Sequence, residues 1–357
     1  MTINVKSLPA NDGDCFIINF GEDENEKYNI LVDGGSVTRD SIRKLKLELK
    51  AIKDLNQCID LLIVTHIDKD HIEGILKIFE LDIYKCLIKK VWFNSGRNIA
   101  AFLNSYESNE RDIPVILGDE TKIGIEQGNS LENELKKMKL LTKGVITQGA
   151  ILTLGEATLH VLSPSIESLK SLNEIWEVDL EDVDSLQISR AVKLNDHDKS
   201  INYLSKQSFS EDRSRVNASS ISFLLEYKGK KILMLGDAPP SVIIEGLKLL
   251  NYSSNNKLSV DVMKVSHHGS RKNTSTDMFD FICCSRYLIS TNGGKVRRLL
   301  PDKESLSRIL ATNKGKKVKF YFNYPVFEHI FTQEEINEFD IECYDISTEN
   351  INYLVEV

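Results

Sequence analysis

The sequence has 357 residues, with 45 basic and 53 acidic side chains and a formal net charge of −8 at pH 7. Hydrophobic residues make up 41% of it and charged residues 27%, which excludes a disordered, collagen-like or low-complexity chain. No stretch approaches the roughly 18 consecutive apolar residues that a membrane helix needs, so no membrane partner is expected. The first residues lack the basic segment and apolar run of a secretory signal, and the sequence therefore predicts a cytoplasmic protein.

Strand and helix patterns alternate along the first third of the chain. The segments INVKSLP, CFIINFG and YNILVDGG have the period of strands, and DSIRKLKLELKAIKDL predicts a polar helix. The run IDLLIVT is too short for a helix and is continuously apolar, as strands buried on both faces are. A helix over HIEGILKIFEL and a strand over KKVWFNSG follow.

The rest of the chain repeats this mixture. A charged helix is predicted over about 119–145, followed by strands over GAILTL and ATLHVLSP. SSISFLLEYKGKKILMLGD predicts a hairpin that turns at Lys228-Gly229-Lys230. A helix over PPSVIIEGLKLLN, a strand over DVMKVS, a helix over STDMFDFICC and a strand over RYLIST come next, and the chain ends in a helix, a strand and INYLVEV as a last strand.

Two packed sheets with helices outside them form the simplest layered solution for this pattern. We expect one α/β domain over residues 1–357. The stretch of about 165–215 is polar and rich in turn residues, which predicts an insertion or loop within that domain.

The loop Thr65–His71, THIDKDH, carries the strongest chemical signal. It directly follows a predicted buried strand and opens a helix. His66 and Asp68 are two residues apart on extended chain and project to the same side, and Asp70 and His71 can turn back to the same point. Four nitrogen and oxygen donors within six residues suit a metal ion. The alternative is a solvated loop in which Asp70 caps the helix.

Two further features follow predicted strands. Asp237 ends the run ILMLGD, although a Gly-Asp pair also commonly makes a turn. In VSHHGS, the adjacent His267 and His268 point in different directions, so one would bind a metal while the other contacts a substrate or a metal ligand. Layered α/β proteins usually place ligands at the C-terminal ends of strands, where all three features lie.

Together, LVDGG, H-x-D-x-D-H, LGD and SHHGS resemble the metallo-β-lactamase fold. Within it, the set is most similar to the soluble hydrolase domain of ComEC-type DNA-uptake proteins and to related stand-alone hydrolases. This group is matched by Asn11–Cys15 near the start, by Asn217 and Ser220 before the hairpin, and by D-V-x-K-x-x-H-H-G-S from Asp261 to Ser270. These motifs run in order from about residue 3 to residue 310.

The resemblance implies a four-layer αββα sandwich of two mixed sheets, with one or two metal ions in a groove at the sheet edges. Zn²⁺ is the implied ion, with Mn²⁺ as an alternative. Asp33 would orient the first ligand loop from outside the metal shell. His66 and Asp68 would bind one ion, and Asp70 and His71 the other.

The later motifs would complete this site. Asp237 would bridge the two ions, and His267 or His268 would be the last ligand. Asp70 or Asp237 would position the attacking hydroxide, and the second histidine of the pair would protonate a leaving oxygen. The candidate substrate contacts are Asn217, Lys264, Ser270, Arg271, Lys272 and Asn292. For Lys264 the alternative is a solvated side chain. For Ser270, Arg271, Lys272 and Asn292 it is an ordinary helix start capped by Thr274 or Ser275.

This sequence departs from the broader superfamily at three positions. Asp68 stands where most members have a histidine, which enriches the site in oxygen and favours Mn²⁺. Leu300-Pro301 replaces a His-Pro of the ComEC-type group. The mid-chain histidine ligand has only His160 as a candidate, and its place inside a strand favours a packed side chain.

The resemblance predicts a metal-dependent phosphodiesterase or nuclease that acts on nucleic acid or nucleotides. A negative net charge disfavours a protein that coats nucleic acid, but bound cations would reverse the charge where the phosphate binds. Two alternatives stay open. One is a hydrolase of a small ester, thioester or phosphocholine-type compound, and the other is a non-catalytic partner protein that retains the fold.

Overall fold

The computed structural model describes residues 2–22, 27–104, 119–176, 195–294, 299–348 and 351–357. In these ranges the strands are β1 Thr2–Ser7, β2 Phe16–Gly21, β3 Tyr28–Val32, β4 Leu61–Ile63, β5 Val91–Trp92, β6 Ile151–Leu154, β7 Ala157–Ser163, β8 Ser222–Tyr227, β9 Lys230–Met234, β10 Leu258–Ser259, β11 Val262–Lys264, β12 Ile282–Cys283, β13 Arg286–Ile289, β14 Val318–Phe322, β15 Ile341–Asp345 and β16 Leu354–Glu356. The α-helices are α1 Arg39–Asp54, α2 Lys69–Phe79, α3 Asp82–Lys85, α4 Gly96–Asn104, α5 Asp119–Lys137, α6 Ile166–Trp176, α7 Ile201–Leu204, α8 Arg215–Ala218, α9 Pro240–Leu249, α10 Lys303–Thr312 and α11 Gln333–Glu338.

Most of these strands form two mixed sheets. The first has the order β16-β1-β2-β3-β4-β5, with antiparallel pairing from β16 to β3 and parallel pairing from β3 to β5. The second has the order β15-β14-β13-β11-β9-β8-β7-β6, with parallel pairing from β15 to β9 and antiparallel pairing from β9 to β6. The last strand, β16, returns to the first sheet and pairs with β1.

In the described parts of the chain, three hydrophobic cores lie between four layers. The middle core joins the inner faces of the two sheets, for example Phe20 of β2 and Phe223 of β8. A second core packs the first sheet against α1, α2 and α6, and a third packs the second sheet against α9 and α10. Because each sheet is apolar on both faces, helices must cover the outer ones, and the predicted αββα sandwich is confirmed.

One predicted helix is wrong. STDMFDFICC forms a single 3₁₀ turn at Asp277–Asp280 and then strand β12, which pairs in parallel with β10. An apolar run of this length fits either a helix or a strand, and here the pairing of Ile282 with Leu258 favours the strand. The charged helix predicted over 119–145 forms as α5 but ends at Lys137.

The polar insertion predicted at about 165–215 falls partly on residues 177–194, which lie outside the described residues. The described part after them packs on α10, because the Asp196 carboxylate accepts hydrogen bonds from the backbone N–H groups of Lys303 and Glu304. The single-domain organisation stays a prediction. Among the described residues, none of the helices has the length and apolar character needed to cross a bilayer.

Candidate metal centre

The candidate site lies where strands of both sheets end. Asp33 directly follows β3, His66 comes three residues after β4, Asp237 three residues after β9, and His267 three residues after β11. Because β3 and β4 are parallel, and so are β9 and β11, the ends of each pair share one edge of their sheet. The sandwich brings the two edges together, with His71 Nε2 3.5 Å from Asp237 Oδ2.

One carboxylate oxygen is the centre of the cluster. Asp237 Oδ2 lies 3.5 Å from His71 Nε2, 3.7 Å from His268 Nε2 and 3.8 Å from His267 Nε2. Asp70 Oδ2 adds a second acidic oxygen, 3.2 Å from His268 Nε2 and 3.7 Å from His71 Nε2. Nitrogen and oxygen donors from THIDKDH, LGD and SHHGS thus lie together in the structure.

Among the described residues, three groups of three side chains have donor atoms within 4.8 Å of one another, and His71 belongs to all three. In the group of Asp14, Asp33 and His71, the two carboxylates already contact Lys264 and His71 Nδ1. The other two groups are the candidate ligand sets: His66, His71 and Asp237 form one, and Asp70, His71 and His268 form the other. Asp68 belongs to neither among the described residues: its carboxylate is one-third exposed and lies 3.6 Å from His66 Nε2.

Neighbouring polar groups orient the ring of His71. Its Nδ1 lies 2.8 Å from Asp33 Oδ2, and the same carboxylate accepts hydrogen bonds from the Thr65 backbone N–H at 2.8 Å and the Thr65 hydroxyl at 2.7 Å. Asp33, with a left-handed φ of 57°, therefore ties the ligand loop to the end of β3. Asp70 does not cap α2, whose N-cap is Asp68 without a side-chain hydrogen bond.

His66 and His268 are held in a similar way. His66 Nδ1 lies 3.2 Å from the hydroxyl of Ser220, and His268 Nδ1 lies 2.9 Å from the carbonyl oxygen of Ser290. In each ring the contacts at Nδ1 leave Nε2 free to face the cluster, which is the arrangement that metal-binding histidines usually have.

The SHHGS turn has an unusual backbone. His267 and His268 have φ values of 47° and 54°, and Gly269 follows at 85°. Left-handed conformations are costly for residues with a Cβ, so surrounding contacts must hold this turn. It directs both imidazoles at Asp237 Oδ2, although sequence spacing indicated that only one of them would point there.

His267 has a partner that the sequence did not reveal. Asp212 Oδ2 lies 3.2 Å from His267 Nδ1 and accepts hydrogen bonds from the side chains of Asn217 and Asn273. Asp212 lies in the polar stretch SEDRSRV, where no periodicity or motif distinguishes it from its charged neighbours.

Lys264 lies beneath the cluster. It is fully buried, its ammonium contacts Asp14, and it donates a 2.8 Å hydrogen bond to the carbonyl of Gly236. Asp237 Oδ1 is 3.5 Å away. Lys264 was predicted to contact substrate, but its burial instead gives it the role of balancing the charge of two buried carboxylates.

The other predicted substrate contacts are scattered. A groove of about 540 Å³ opens above Asp70, Asp237 and His267, and within the described chain its lining contains none of the six predicted contacts. Ser270 is buried, and Arg271 is 3.5 Å from Glu304. The remaining placements are as follows: the Lys272 backbone donates to the Ser270 hydroxyl, the Asn217 amide donates to Asp212, and the Asn292 amide donates to Asn11 of the groove lining.

Two positions named in the sequence lie apart from the ligand sets. His160 lies in β7, with Nε2 3.8 Å from the Glu226 carboxylate of β8. Leu300-Pro301 lies beside the SHHGS turn, because Pro301 packs so closely on Gly269 that a Cβ there would be 2.5 Å away.

Opposite charges in the cluster shift the pKa values of their neighbours. Burial alone would raise the pKa of Asp237, but His71, His267 and His268 outweigh it and hold that pKa well below its usual range. Burial likewise lowers the pKa of His71, yet Asp237, Asp70 and Asp33 raise it overall. The acidic groups thus stay ionised and attract positive charge to this point.

Unpaired polar atoms show that the site suits a cation. Among the described residues, His66 Nε2 and His71 Nε2 are buried without a hydrogen-bond partner, and both belong to the ligand set that includes Asp237. Such an atom costs about 1–3 kcal/mol when buried alone, and an ion bound between the two would compensate both. The residues present therefore fit a divalent metal.

No family model matches the sequence, and no curated protein matches it. Among solved structures, it is similar to the metallo-β-lactamase fold protein YhfI from Bacillus subtilis, with 9% identity, a TM-score of 0.42 and full coverage of both chains. A diphosphatase of the PhnP family has 10% identity and a TM-score of 0.37 over 96% of this chain and 95% of that one.

A further likeness is to CmlA, a diiron β-hydroxylase from Streptomyces venezuelae, with 12% identity and a TM-score of 0.37. It covers 98% of this chain but only 49% of CmlA, so the chain spans about half the length of that protein. Likenesses this distant carry no argument about activity, and the candidate site rests on the contacts described above. Closeness to ComEC-type proteins stays a prediction.

Proposed function

We propose that the protein is a metal-dependent hydrolase that cleaves phosphodiester bonds in nucleic acid or nucleotides. The observation that carries this proposal is the pair of three-ligand sets that share His71, with Asp237 Oδ2 within 4 Å of three imidazole nitrogens. Paired metal sites built from histidine and carboxylate are common in phosphatases and nucleases. The phosphodiester substrate is favoured by the likeness of the motifs to ComEC-type hydrolases.

The two ligand sets support a choice of metal-binding side chains. His66, His71 and Asp237 would hold one ion, and Asp70 and His268 would hold a second together with His71. Mixed nitrogen and oxygen donors suit Zn²⁺ and also Mn²⁺. When bound, such ions acidify a water molecule and stabilise the negative charge that develops on the phosphate oxygens.

The chain's own groups supply orientation and proton transfer. Asp33 and the Ser290 carbonyl fix the rings of His71 and His268 before any substrate binds. The Asp70 side chain is 30% exposed at the groove, so its carboxylate can hold the attacking water by a hydrogen bond. His267 is exposed to the same extent and faces the groove, where its doubly protonated ring can donate the Nε2 proton to the leaving oxygen and return to the neutral form that keeps the Nδ1 proton.

The size of the groove favours a second candidate function. About 540 Å³ is within the range of small-molecule sites, so hydrolysis of a small ester, thioester or phosphocholine-type compound also fits. The third alternative, a non-catalytic partner protein, predicts a chain that resists metal loading.

The test is a substrate panel with purified protein loaded with Mn²⁺ or Zn²⁺. It comprises single- and double-stranded DNA, RNA, cyclic nucleotides, bis(p-nitrophenyl) phosphate, and a thioester and a phosphocholine ester. We expect cleavage of a phosphodiester that is abolished in Asp237→Ala and Asp70→Ala and retained in the surface control Asp54→Ala. Cleavage of the esters alone would favour the second candidate. Failure to cleave any substrate by protein with bound metal, or activity unchanged in both site variants, would refute the phosphodiesterase.

A further inference from the structure

The imidazole of His267 lies between two carboxylates. Its Nε2 is 3.8 Å from Asp237 Oδ2 at the cluster, and its Nδ1 is 3.2 Å from Asp212 Oδ2 on the other side of the ring. Asn273 adds a contact of 3.1 Å between its Oδ1 and the same Nδ1. The Asn217 Nδ2 is also 3.3 Å from Nδ1, but it donates to Asp212 Oδ2 over the shorter distance of 2.7 Å. Two acceptors therefore meet Nδ1, so the proton of a neutral ring is favoured there and Nε2 is left facing the groove.

The Asp212 carboxylate is itself held rigidly. Its Oδ1 accepts a 3.0 Å hydrogen bond from the Ser214 N–H, and its Oδ2 accepts bonds from the side chains of Asn217 at 2.7 Å and Asn273 at 3.1 Å. The Asp212 N–H donates to the carbonyl of Lys272, which ties the segment to the SHHGS loop. A carboxylate fixed from several sides can orient a ring at little further entropic cost.

The two adjacent histidines differ in surroundings. His268 is 3% exposed, meets a neutral carbonyl at Nδ1 and belongs to a ligand set. His267 is 30% exposed, meets a carboxylate at Nδ1, and belongs to neither ligand set among the described residues. The first arrangement is that of a metal ligand, and the second places Nε2 where a molecule in the groove can contact it.

We propose that Asp212 is a positioning residue that holds His267 in the tautomer protonated at Nδ1, so that His267 contacts substrate while His268 binds metal. The tail of the polar stretch at about 165–215 thereby supplies part of the site. The substrate contact rests on the proposed hydrolase function, whereas the tautomer and the division between the two histidines do not.

The first test is the ¹⁵N NMR spectrum of histidine-labelled protein, with His267 assigned by its loss in His267→Gln. The wild-type ring is expected to be protonated at Nδ1, and Asp212→Asn is expected to shift it towards a mixture of tautomers, because the amide offers one acceptor to several donors. Glu211→Gln is the matched control. It removes the same charge from the neighbouring position, where the carboxylate accepts a hydrogen bond from the Ser241 N–H, and should leave the His267 signals unchanged.

The second test is metal stoichiometry, measured with Mn²⁺ and Zn²⁺ alone. His268→Ala is expected to lose bound metal, while His267→Ala and Asp212→Asn keep the wild-type number. On any substrate that the wild type cleaves, Asp212→Asn should lower kcat by at least about 10-fold, the smallest loss typical of removing a carboxylate partner of a histidine at a metal site.

An Nε2–H tautomer in the wild type would overturn the inference, as would a tautomer unaffected by Asp212→Asn. Loss of metal in His267→Ala equal to that in His268→Ala would overturn the division of roles. If no substrate is cleaved, the proposed function fails, but the spectrum and the stoichiometry still decide this inference.

Discussion

Replacing Asp33 with asparagine tests whether metal affinity depends on a residue that does not touch the metal. Asp33 is completely buried and accepts three short contacts, from the Thr65 N–H, the Thr65 hydroxyl and His71 Nδ1, at 2.7–2.8 Å. The amide has the same shape but only one oxygen, so it cannot satisfy all three groups.

Each orientation of the new amide has a cost. If its oxygen stays towards His71, its NH₂ group opposes the backbone N–H of Thr65, and a buried donor without a partner costs about 1–3 kcal/mol. If its NH₂ group faces His71, Nδ1 must accept, the ring proton moves to Nε2, and Nε2 can no longer bind a cation. We therefore expect metal affinity to fall by about 10–100-fold, which corresponds to about 1.4–2.7 kcal/mol.

The assay is competition for Mn²⁺ or Zn²⁺ against a chelating dye, with urea unfolding measured in parallel. Asp60→Asn is the matched control. Asp60 is also a buried carboxylate that accepts a backbone hydrogen bond, from the Asn29 N–H. It lies before β4, at the opposite end of that strand from the loop Thr65–His71. The control should lose stability without losing metal affinity. Unchanged affinity in Asp33→Asn, or an equal loss in both variants, would refute the reasoning.

Three further outcomes are expected. Gly13→Ala should lower the free energy of unfolding in urea by about 1–3 kcal/mol, because its Cβ would lie 1.7 Å from the Asp70 carbonyl oxygen. It should also weaken the protein's metal affinity, measured by competition with a chelator. The control Gly229→Ala, whose Cβ would have no atom within 4 Å, should leave metal affinity unchanged. Glu335→Gln should lower the free energy of unfolding by about 1–3 kcal/mol at pH 7 but little in acid. Burial raises the pKa of Glu335, yet Lys303 and backbone donors lower it overall. The ionised carboxylate therefore stabilises the fold above the ordinary pKa range of glutamate, and this stabilisation is lost as pH falls through the lowered pKa. An equal loss at every pH would contradict this sign. Metal at 100 times its Kd should stabilise the fold by about 2.7 kcal/mol in thermal scans, and EDTA or His71→Ala should abolish the gain; a gain that survives in His71→Ala would place the metal elsewhere.

Local patterns were sufficient to predict the layers and the ligand loops. Continuous apolar runs such as IDLLIVT are typical of strands covered on both faces, and the structure confirms two such sheets with helices outside. THIDKDH, LGD and SHHGS each follow a strand, and strand direction determines that their side chains gather at one edge. These inferences need only the spacing of the apolar residues and the position of the polar residues just after each strand.

Other properties depend on contacts between distant segments. Neither the burial of Lys264 against Asp14 nor the support of His267 by Asp212 follows from sequence spacing, because each pair is joined only when separate segments pack together. The same holds for the short strand β12, which exists because β10 lies beside it.

The sequence by itself thus determined the four-layer architecture and the loops that meet at the candidate metal centre, since both follow from apolar period and from the polar residues at strand ends. Only the tertiary structure decided which side chains of those loops point to the cluster. Left-handed φ angles at His267 and His268 and the packing of the two sheet edges direct both rings at Asp237. Among the described residues, Asp68 lies outside both ligand sets. The sequence could not show this, because the direction of a side chain depends on backbone angles and on partners far away in sequence.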